Sequence, residues 1–215
     1  MKCKHVIWDW NGTLLNDVWL CVREINKVLI KYGKSILSLE KYRELFDFPV
    51  KDYYHRIGFD FSKESFEVVG TEFINGYNTH HLECKLRDDA FNTVKNLYDS
   101  GITQSILSAR KQKQLEEEVR YHNLHSFIND IVGLTHHYAT SKIDTGKKLV
   151  KKLKIASPEI LLVGDTTHDY DVAKAIGTSC ILISNGHQTI KKLKTCGVPV
   201  INSLRDIIEH VDIKQ

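Results

Sequence analysis

Four short segments carry side chains that could work together on a phosphate. Asp9 opens the segment Asp9-Trp10-Asn11-Gly12-Thr13-Leu14. Asp165 and Asp169 fall in Gly164-Asp165-Thr166-Thr167-His168-Asp169. Ser108-Ala109 and Lys142 lie between these in the chain. Carboxylates hold a hard cation such as Mg²⁺. A lysine, a hydroxyl and backbone amides hold phosphate oxygens. This is the inventory of a metal-assisted phosphate site, if the fold gathers it.

The elements around these segments are of the kind that would gather them. Short apolar runs read as buried strands: His5–Asp9, Gln104–Ser108, Asp130–Leu134, Ile160–Gly164, Cys180–Ser184 and a weaker Val198–Ile201. From Gln104 onward they alternate with helical patterns at Lys111–His122, Lys147–Lys154 and Asp169–Ile176; a further helix, Asp88–Ser100, comes before. Gly177 is a helix-stop signal. Alternating strands and helices imply βαβ units and a parallel sheet, whose ligands bind at the carboxyl ends of its strands. The segments above fall at such ends. Asp169 could equally cap a helix beginning at Tyr170, and Ser108 one beginning at Lys111.

Residues 16–84 differ. No strand is apparent there, and four helices are expected: Asp17–Tyr32, Leu39–Phe46, Lys51–Ile57 and Ser62–Leu82, punctuated by Gly33, Pro49 and Gly58. The expected fold is therefore α/β, with a doubly wound, Rossmann-like parallel sheet formed by residues 1–15 and 85–215. A helical cap of residues 16–84 is inserted after the first strand. The cap has 9 basic and 11 acidic residues and 12 of the 20 aromatics, so the net +3 of the whole chain hides a mildly acidic cap and a more basic core.

Composition excludes other classes. Apolar residues are 42% and charged residues 27%, too apolar for a disordered chain. A net +3 over this length does not point to nucleic acid, and the lysines at 147, 148, 151, 152 and 154 read as a solvated helix face. No apolar run approaches membrane-spanning length. Five Cys, none spaced C-x-x-C, indicate neither a disulfide framework nor zinc, and fit a reducing cytoplasmic setting.

Taken in order, D-W-N-G-T-L, the Ser108 strand end I-L-S-A, Lys142 in S-K-I-D and G-D-T-T-H-D resemble the four motifs of the haloacid dehalogenase (HAD) superfamily. The resemblance covers essentially the whole chain and is to its phosphoglycolate-phosphatase-like hydrolases with a helical cap between motifs one and two. It implies that Asp9 is a nucleophile forming an aspartyl-phosphate. It implies Mg²⁺ held by Asp9, the Asn11 carbonyl, Asp165 and Asp169, the last directly or through water. Ser108, Lys142 and the amides of Gly12 and Ala109 would hold the transferring oxygens, and Thr13 would fix the motif-one loop. The segment Phe46–Lys51 resembles the family's specificity loop. Arg23, Lys51, His55 and Arg56 are candidate substrate contacts, and Leu14-Leu15 and Leu86 flank the expected hinges.

The chain departs from that pattern at Asn11, where the family usually has the Asp that protonates the leaving oxygen and activates water. Asn cannot exchange a proton near neutral pH, and loss of a general acid–base costs on the order of 10²–10⁴ in rate. Three readings stay open. The substrate has a good leaving group, or another residue such as His187 supplies the proton, or the protein is a slow or non-hydrolytic phosphate-binding or regulatory protein. Lys142 also lacks the following Pro that is frequent in the family. The expected activity is Mg²⁺-dependent phosphomonoester hydrolysis. Its expected partner is a small phosphorylated metabolite, with neither nucleic acid nor membrane, in a monomer or homodimer.

Overall fold

The computed structural model describes residues 2–134 and 142–211. Ser141 of S-K-I-D, with residues 1, 135–140 and 212–215 of the expected core, lies outside that range. Six parallel strands form one sheet in the order β5-β4-β1-β6-β7-β8. They are β1 (His5–Trp8), β4 (Thr103–Lys111), β5 (Asp130–Leu134), β6 (Ile160–Gly164), β7 (Ser179–Ile183) and β8 (Val200–Ile201). A second, two-stranded antiparallel ribbon pairs β2 (Leu15–Asn16) with β3 (Lys85–Leu86). The core helices are α5 (Ala90–Asp99), α6 (Gln112–Tyr121), α7 (Lys142–Leu153), α8 (Thr167–Ile176) and α9 (Ile190–Lys194).

The middle strand explains the apolar runs. β1 pairs with β4 on one side and β6 on the other, and all four of its residues are buried. A strand enclosed on both faces has no polar alternation to show. Two apolar layers flank the sheet. One contains Val6, Trp8, Ile106 and Val163, the other Ile7, Leu107, Leu162 and Leu182.

Between β2 and β3 the chain forms α1 (Val18–Lys31), α2 (Leu39–Leu45), α3 (Val50–Arg56) and α4 (Phe66–His80). Ser38 and Ser65 cap α2 and α4 by accepting from the amides of Lys41 and Val68. The β2–β3 ribbon sits where hinges are expected, at the two passages into and out of this helical segment. No helix among the described residues is long and apolar enough to cross a membrane. All five Cys are free thiols.

Several expected boundaries move. The ribbon strands have two residues each, too short to show a period. α7 begins at Lys142, five residues before the expected Lys147, so Lys142 is inside its helix rather than ahead of it. β4 runs on past Ser108 to Lys111, with a register shift against β5 between Leu107 and Lys111. The helix at Asp169 begins at Thr167, and Lys191, Lys192 and Lys194 lie on α9.

Candidate active site

Three neighbouring strands set the site. Asp9 directly follows β1, Ser108 lies near the carboxyl end of β4, and Asp165 follows β6. Because β4, β1 and β6 are adjacent and parallel, the three side chains emerge side by side, about 4.8 Å apart per strand. Lys142 arrives from the first turn of α7. A Cβ at Gly146, one turn on, would lie 3.1 Å from Leu107 and 3.2 Å from Ile176. The bare glycine thus lets α7 settle onto the sheet and α8, and brings Lys142 over the strand ends.

The buried Lys142 ammonium donates to Asp9 Oδ1 and, at 2.6 Å, to Asp169 Oδ1. Asp169 Oδ2 accepts from the Thr166 hydroxyl (2.7 Å), the Thr166 amide (3.0 Å) and the Asp165 amide (3.2 Å). Thr166 caps α8 and Asp169 reciprocates in a capping box, so Asp169 both caps the helix and orients Lys142. Thr13 is wholly buried, and its hydroxyl lies 3.2 Å from Asp9 Oδ2 and 3.1 Å from Asp165 Oδ1. It ties two carboxylates together and fixes the loop after β1.

Gly12 makes that closeness possible. Its φ is +74°, and a Cβ there would fall 2.3 Å from Asp165 Oδ2. Its amide does not face the transferring oxygens as expected. It donates to Asp17 Oδ1 at 2.8 Å, because α1 starts beside the loop and buries that carboxylate. Ser108 is buried and its Oγ accepts from the Arg110 amide, while Ala109 is exposed; both line the same cavity as Asp9 and Lys142. Ser108 does not cap α6, whose cap position is Lys111.

The carboxylates are held under electrostatic pressure. Burial pushes Asp9 up to about 7, against the pull of Lys142 and with the push of Asp169 and Asp165. Burial raises Asp165 to about 6, against the pull of the His187 charge. Asp169 is subject to the same burial but ends below the usual range because Lys142 stands against it. Asp169 and Asp9 raise Lys142 despite its burial. Oxygen atoms of Asp9, Asp165 and Asp169 lie within 4.8 Å of one another. Three buried carboxylates, two of them bonded to the one ammonium of Lys142, form an all-oxygen, net-negative set. That set fits a hard divalent cation such as Mg²⁺.

A second cluster was not foreseen. Asp17, wholly buried at the start of α1, accepts from the Asn11 amide (2.7 Å), the Tyr77 hydroxyl (2.8 Å) and the Gly12 amide. His187 Nε2 lies 3.4 Å from Asp17 Oδ1, and its Nδ1 lies 2.9 Å from the Tyr42 hydroxyl. Although burial opposes it, the Asp17 charge raises His187 to about 9, and His187 in turn holds Asp17 low. Both ring nitrogens are therefore engaged, so His187 is not directed to a leaving group as one reading of the sequence had it. Its backbone amide instead donates to Asp165 Oδ2 at 2.6 Å. No local pattern signals this cluster, whose members Asn11 and His187 are 176 residues apart in the chain.

The helical segment closes over the strand ends. Lys192 Nζ donates to the Phe46 carbonyl (2.8 Å) and Asp47 Oδ2 (3.1 Å), and Arg43 donates to the carbonyls of Gly186 and Asn185 (both 2.8 Å). Phe48 stacks on His168 with centroids 4.5 Å apart. The Phe46–Lys51 loop thus borders the cavity through Phe46, Phe48, Pro49, Val50 and Lys51. Of the four expected basic contacts only Lys51 lines it. Arg23 pairs with Glu24 and Glu83, Arg56 with Asp47, and His55 turns to the Phe59 carbonyl.

Residues 6–183 match the family model described as "Haloacid dehalogenase-like hydrolase". Among curated relatives, phosphoglycolate phosphatase 1 of Pseudomonas aeruginosa is 23% identical over 216 residues, covering 96% of this chain and 79% of that protein. Pyrophosphatase PpaX of Anoxybacillus flavithermus is 22% identical over 179 residues, covering 83% and 82%. Among solved structures, a predicted phosphatase from Clostridium acetobutylicum matches with a TM-score of 0.83 at 18% identity over 98% of each chain. CbbY from Rhodobacter sphaeroides, in complex with xylulose-(1,5)-bisphosphate, matches with a TM-score of 0.74 at 18% identity, covering 98% and 99%. At these identities the structural matches speak for the fold.

Proposed function

The chain belongs to the haloacid dehalogenase-like hydrolase family, and from that premise we propose that it is a Mg²⁺-dependent phosphatase acting on a small phosphorylated metabolite through an aspartyl-phosphate on Asp9. The observation that carries this reading is the convergence of Asp9, Asp165, Asp169 and Lys142 at the ends of adjacent parallel strands. In this reading residues 1–15 and 85–215 are the core, and residues 16–84 are the cap that shields the reaction from water.

Asp9, Asp165 and the Asn11 carbonyl would hold Mg²⁺, with Asp169 reaching it directly or through water. Bound there, the ion supplies the positive charge that lets a carboxylate approach a phosphate dianion. Asp9 attacks phosphorus while the ester oxygen departs with the bonding pair and takes a proton. Water then attacks the same phosphorus, restoring Asp9 and releasing inorganic phosphate. The net change is one ester and one water giving one alcohol and one phosphate. Lys142 favours the ionised nucleophile and, with Ser108 and the Ala109 amide, faces the transferring oxygens.

Asn11 supports a second reading, in which the protein binds a phosphorylated compound with slow or no turnover. Release of p-nitrophenol from p-nitrophenyl phosphate separates the two. Release that needs Mg²⁺, stops with a chelator and disappears in Asp9→Asn supports the phosphatase. No metal-dependent, Asp9-dependent release defeats it and leaves the second reading.

A further inference from the structure

The cavity above Asp9 is far larger than a phosphoryl group needs. It measures about 590 Å³ and runs from Asp9, Ser108 and Lys142 into the helical segment. That is the size class of pockets enclosing whole drug-sized ligands, ~300–1,000 Å³. Its inner wall is built from Ile25, Tyr53, Tyr54, Phe66, Phe73 and Ile74.

Charge is scarce on that wall. Residues 17–77 contribute two charged side chains to the lining, Asp17 and Lys51. Asp17 is paired with His187. Lys51 is exposed, with its ammonium 5.7 Å from the centre of the Phe61 ring, and Phe61 is not among the lining residues. Arg110, also in the lining, is held by Glu118 and Asn78. Lys111, half-buried at the end of β4, lines the cavity as well, so an anionic group could meet Lys111 or Lys51 there, but the inner wall of Ile25, Tyr53, Tyr54, Phe66, Phe73 and Ile74 offers it no charged partner. Burying an unpaired charge costs several kcal/mol.

One further residue marks the chamber as a place for a ligand. Gly70 is buried in the middle of α4 and lines the cavity, and a Cβ built there meets nothing within 4 Å. Glycine in a helix interior is about 1 kcal/mol worse than Ala, so helix stability is given up here for open space.

We propose that the substrate is a phosphomonoester of a bulky, apolar, ring-bearing alcohol of the aryl type, with its ring seated in the chamber beside Gly70 and its phosphate at Asp9. This rests on the phosphatase reading above and narrows it. It also accounts for Asn11, because an aryl oxygen leaves as a stabilised anion and takes its proton from water afterwards, needing little help from a general acid.

The test compares kcat/KM of the wild-type protein on 1-naphthyl phosphate, phosphoglycolate and pyrophosphate, with Asp9→Asn as a blank. The aryl ester is expected to exceed both anions by about a hundredfold or more. Gly70→Leu, which fills the chamber with a good helix former, is expected to lower the 1-naphthyl phosphate to acetyl phosphate ratio by about tenfold or more. A preference for phosphoglycolate or pyrophosphate overturns the proposal while leaving the phosphatase intact. So does a ratio unmoved by Gly70→Leu in a folded variant. If no ester is hydrolysed, the phosphatase reading fails, and calorimetric titration with 1-naphthylphosphonate and phosphonoacetate still decides. Binding of the naphthyl compound tighter by about tenfold or more supports the chamber's assignment, and equal or weaker binding overturns it.

Discussion

The Asn11 side-chain amide donates to Asp17 Oδ2 at 2.7 Å, in a position where the usual residue of the family would set one carboxylate against another. The Tyr77 hydroxyl donates to the same oxygen at 2.8 Å, so two donors already meet this one oxygen of a buried acid. In Asn11→Asp two carboxyls would share this space and one would have to keep its proton. Its folded pKa would then stand above the unfolded value. The variant's deficit should be least near pH 4 and grow as pH rises through neutrality, reaching about 1–3 kcal/mol. Melting curves of variant and wild type from pH 4 to 8 read this directly, and a constant gap refutes it. The retained proton would also serve as a general acid. The rate gain should be larger on an alkyl phosphate than on an aryl phosphate, and equal or reduced rates on both would sink the idea.

Lys142 is the only ammonium hydrogen-bonded to Asp9 and Asp169 among the described residues, and all three are buried. Lys142→Met should strand both carboxylates and lower stability by about 3–5 kcal/mol in metal-free buffer, as breaking a buried pair does. Adding Asp169→Asn should return part of that loss. A double-mutant cycle by urea unfolding measures the coupling, and strictly additive effects would show that the pairing carries no stability.

What the chain displays locally and what it does not now separates clearly. β1 and β6 are legible because strands buried on both faces are uninterrupted apolar runs bounded by turns. The residues at their ends follow from the parallel-sheet rule, so Asp9 and Asp165 could be found without coordinates. Lys142 was legible as a residue but not as part of its helix, since Lys142-Ile143-Asp144-Thr145-Gly146 contains a glycine and little apolar period. Asp17 read as an ordinary helix start. Its role as counter-ion to His187 depends on the loop after β7 closing against α1, which no sequence interval encodes. Glu118 is similar. It looks like a solvated acid on a charged helix, yet it is fully buried and accepts from Trp10 Nε1, His81 Nδ1 and Arg110.

Mg²⁺ should stabilise the protein whether or not a substrate is turned over. A ligand that binds only the folded state adds about 2.7 kcal/mol at a concentration a hundred times its Kd. Thermal melts with and without MgCl₂, at constant ionic strength, should show a rise in Tm that Asp165→Asn removes. Asp165 is wholly buried against Gly12 and Gly186, whose Cβ positions would fall 2.3 and 2.2 Å from its Oδ2, so the smaller charge of Asn is the main change. An equal rise in the variant would place the ion elsewhere.

His5 sets an acid limit on the fold far from the phosphate site. It is wholly buried in β1, with Nδ1 2.7 Å from the Thr103 hydroxyl and Nε2 buried without a partner. Burial lowers it to about 4, with only Asp130 pulling the other way. In the unfolded chain the imidazole titrates near ~6.5. Between these two values the unfolded state binds a proton that the folded state does not. Stability from His5 is therefore complete above about pH 6.5 and falls as pH drops towards 4, by about 3 kcal/mol in all. His5→Leu keeps an apolar filling, and the Thr103 hydroxyl still has the Lys4 carbonyl at 3.1 Å. Urea midpoints of wild type and His5→Leu, measured from pH 7 to 4.5, should therefore converge or cross as the wild type weakens. Parallel curves would mean that this histidine does not titrate with folding.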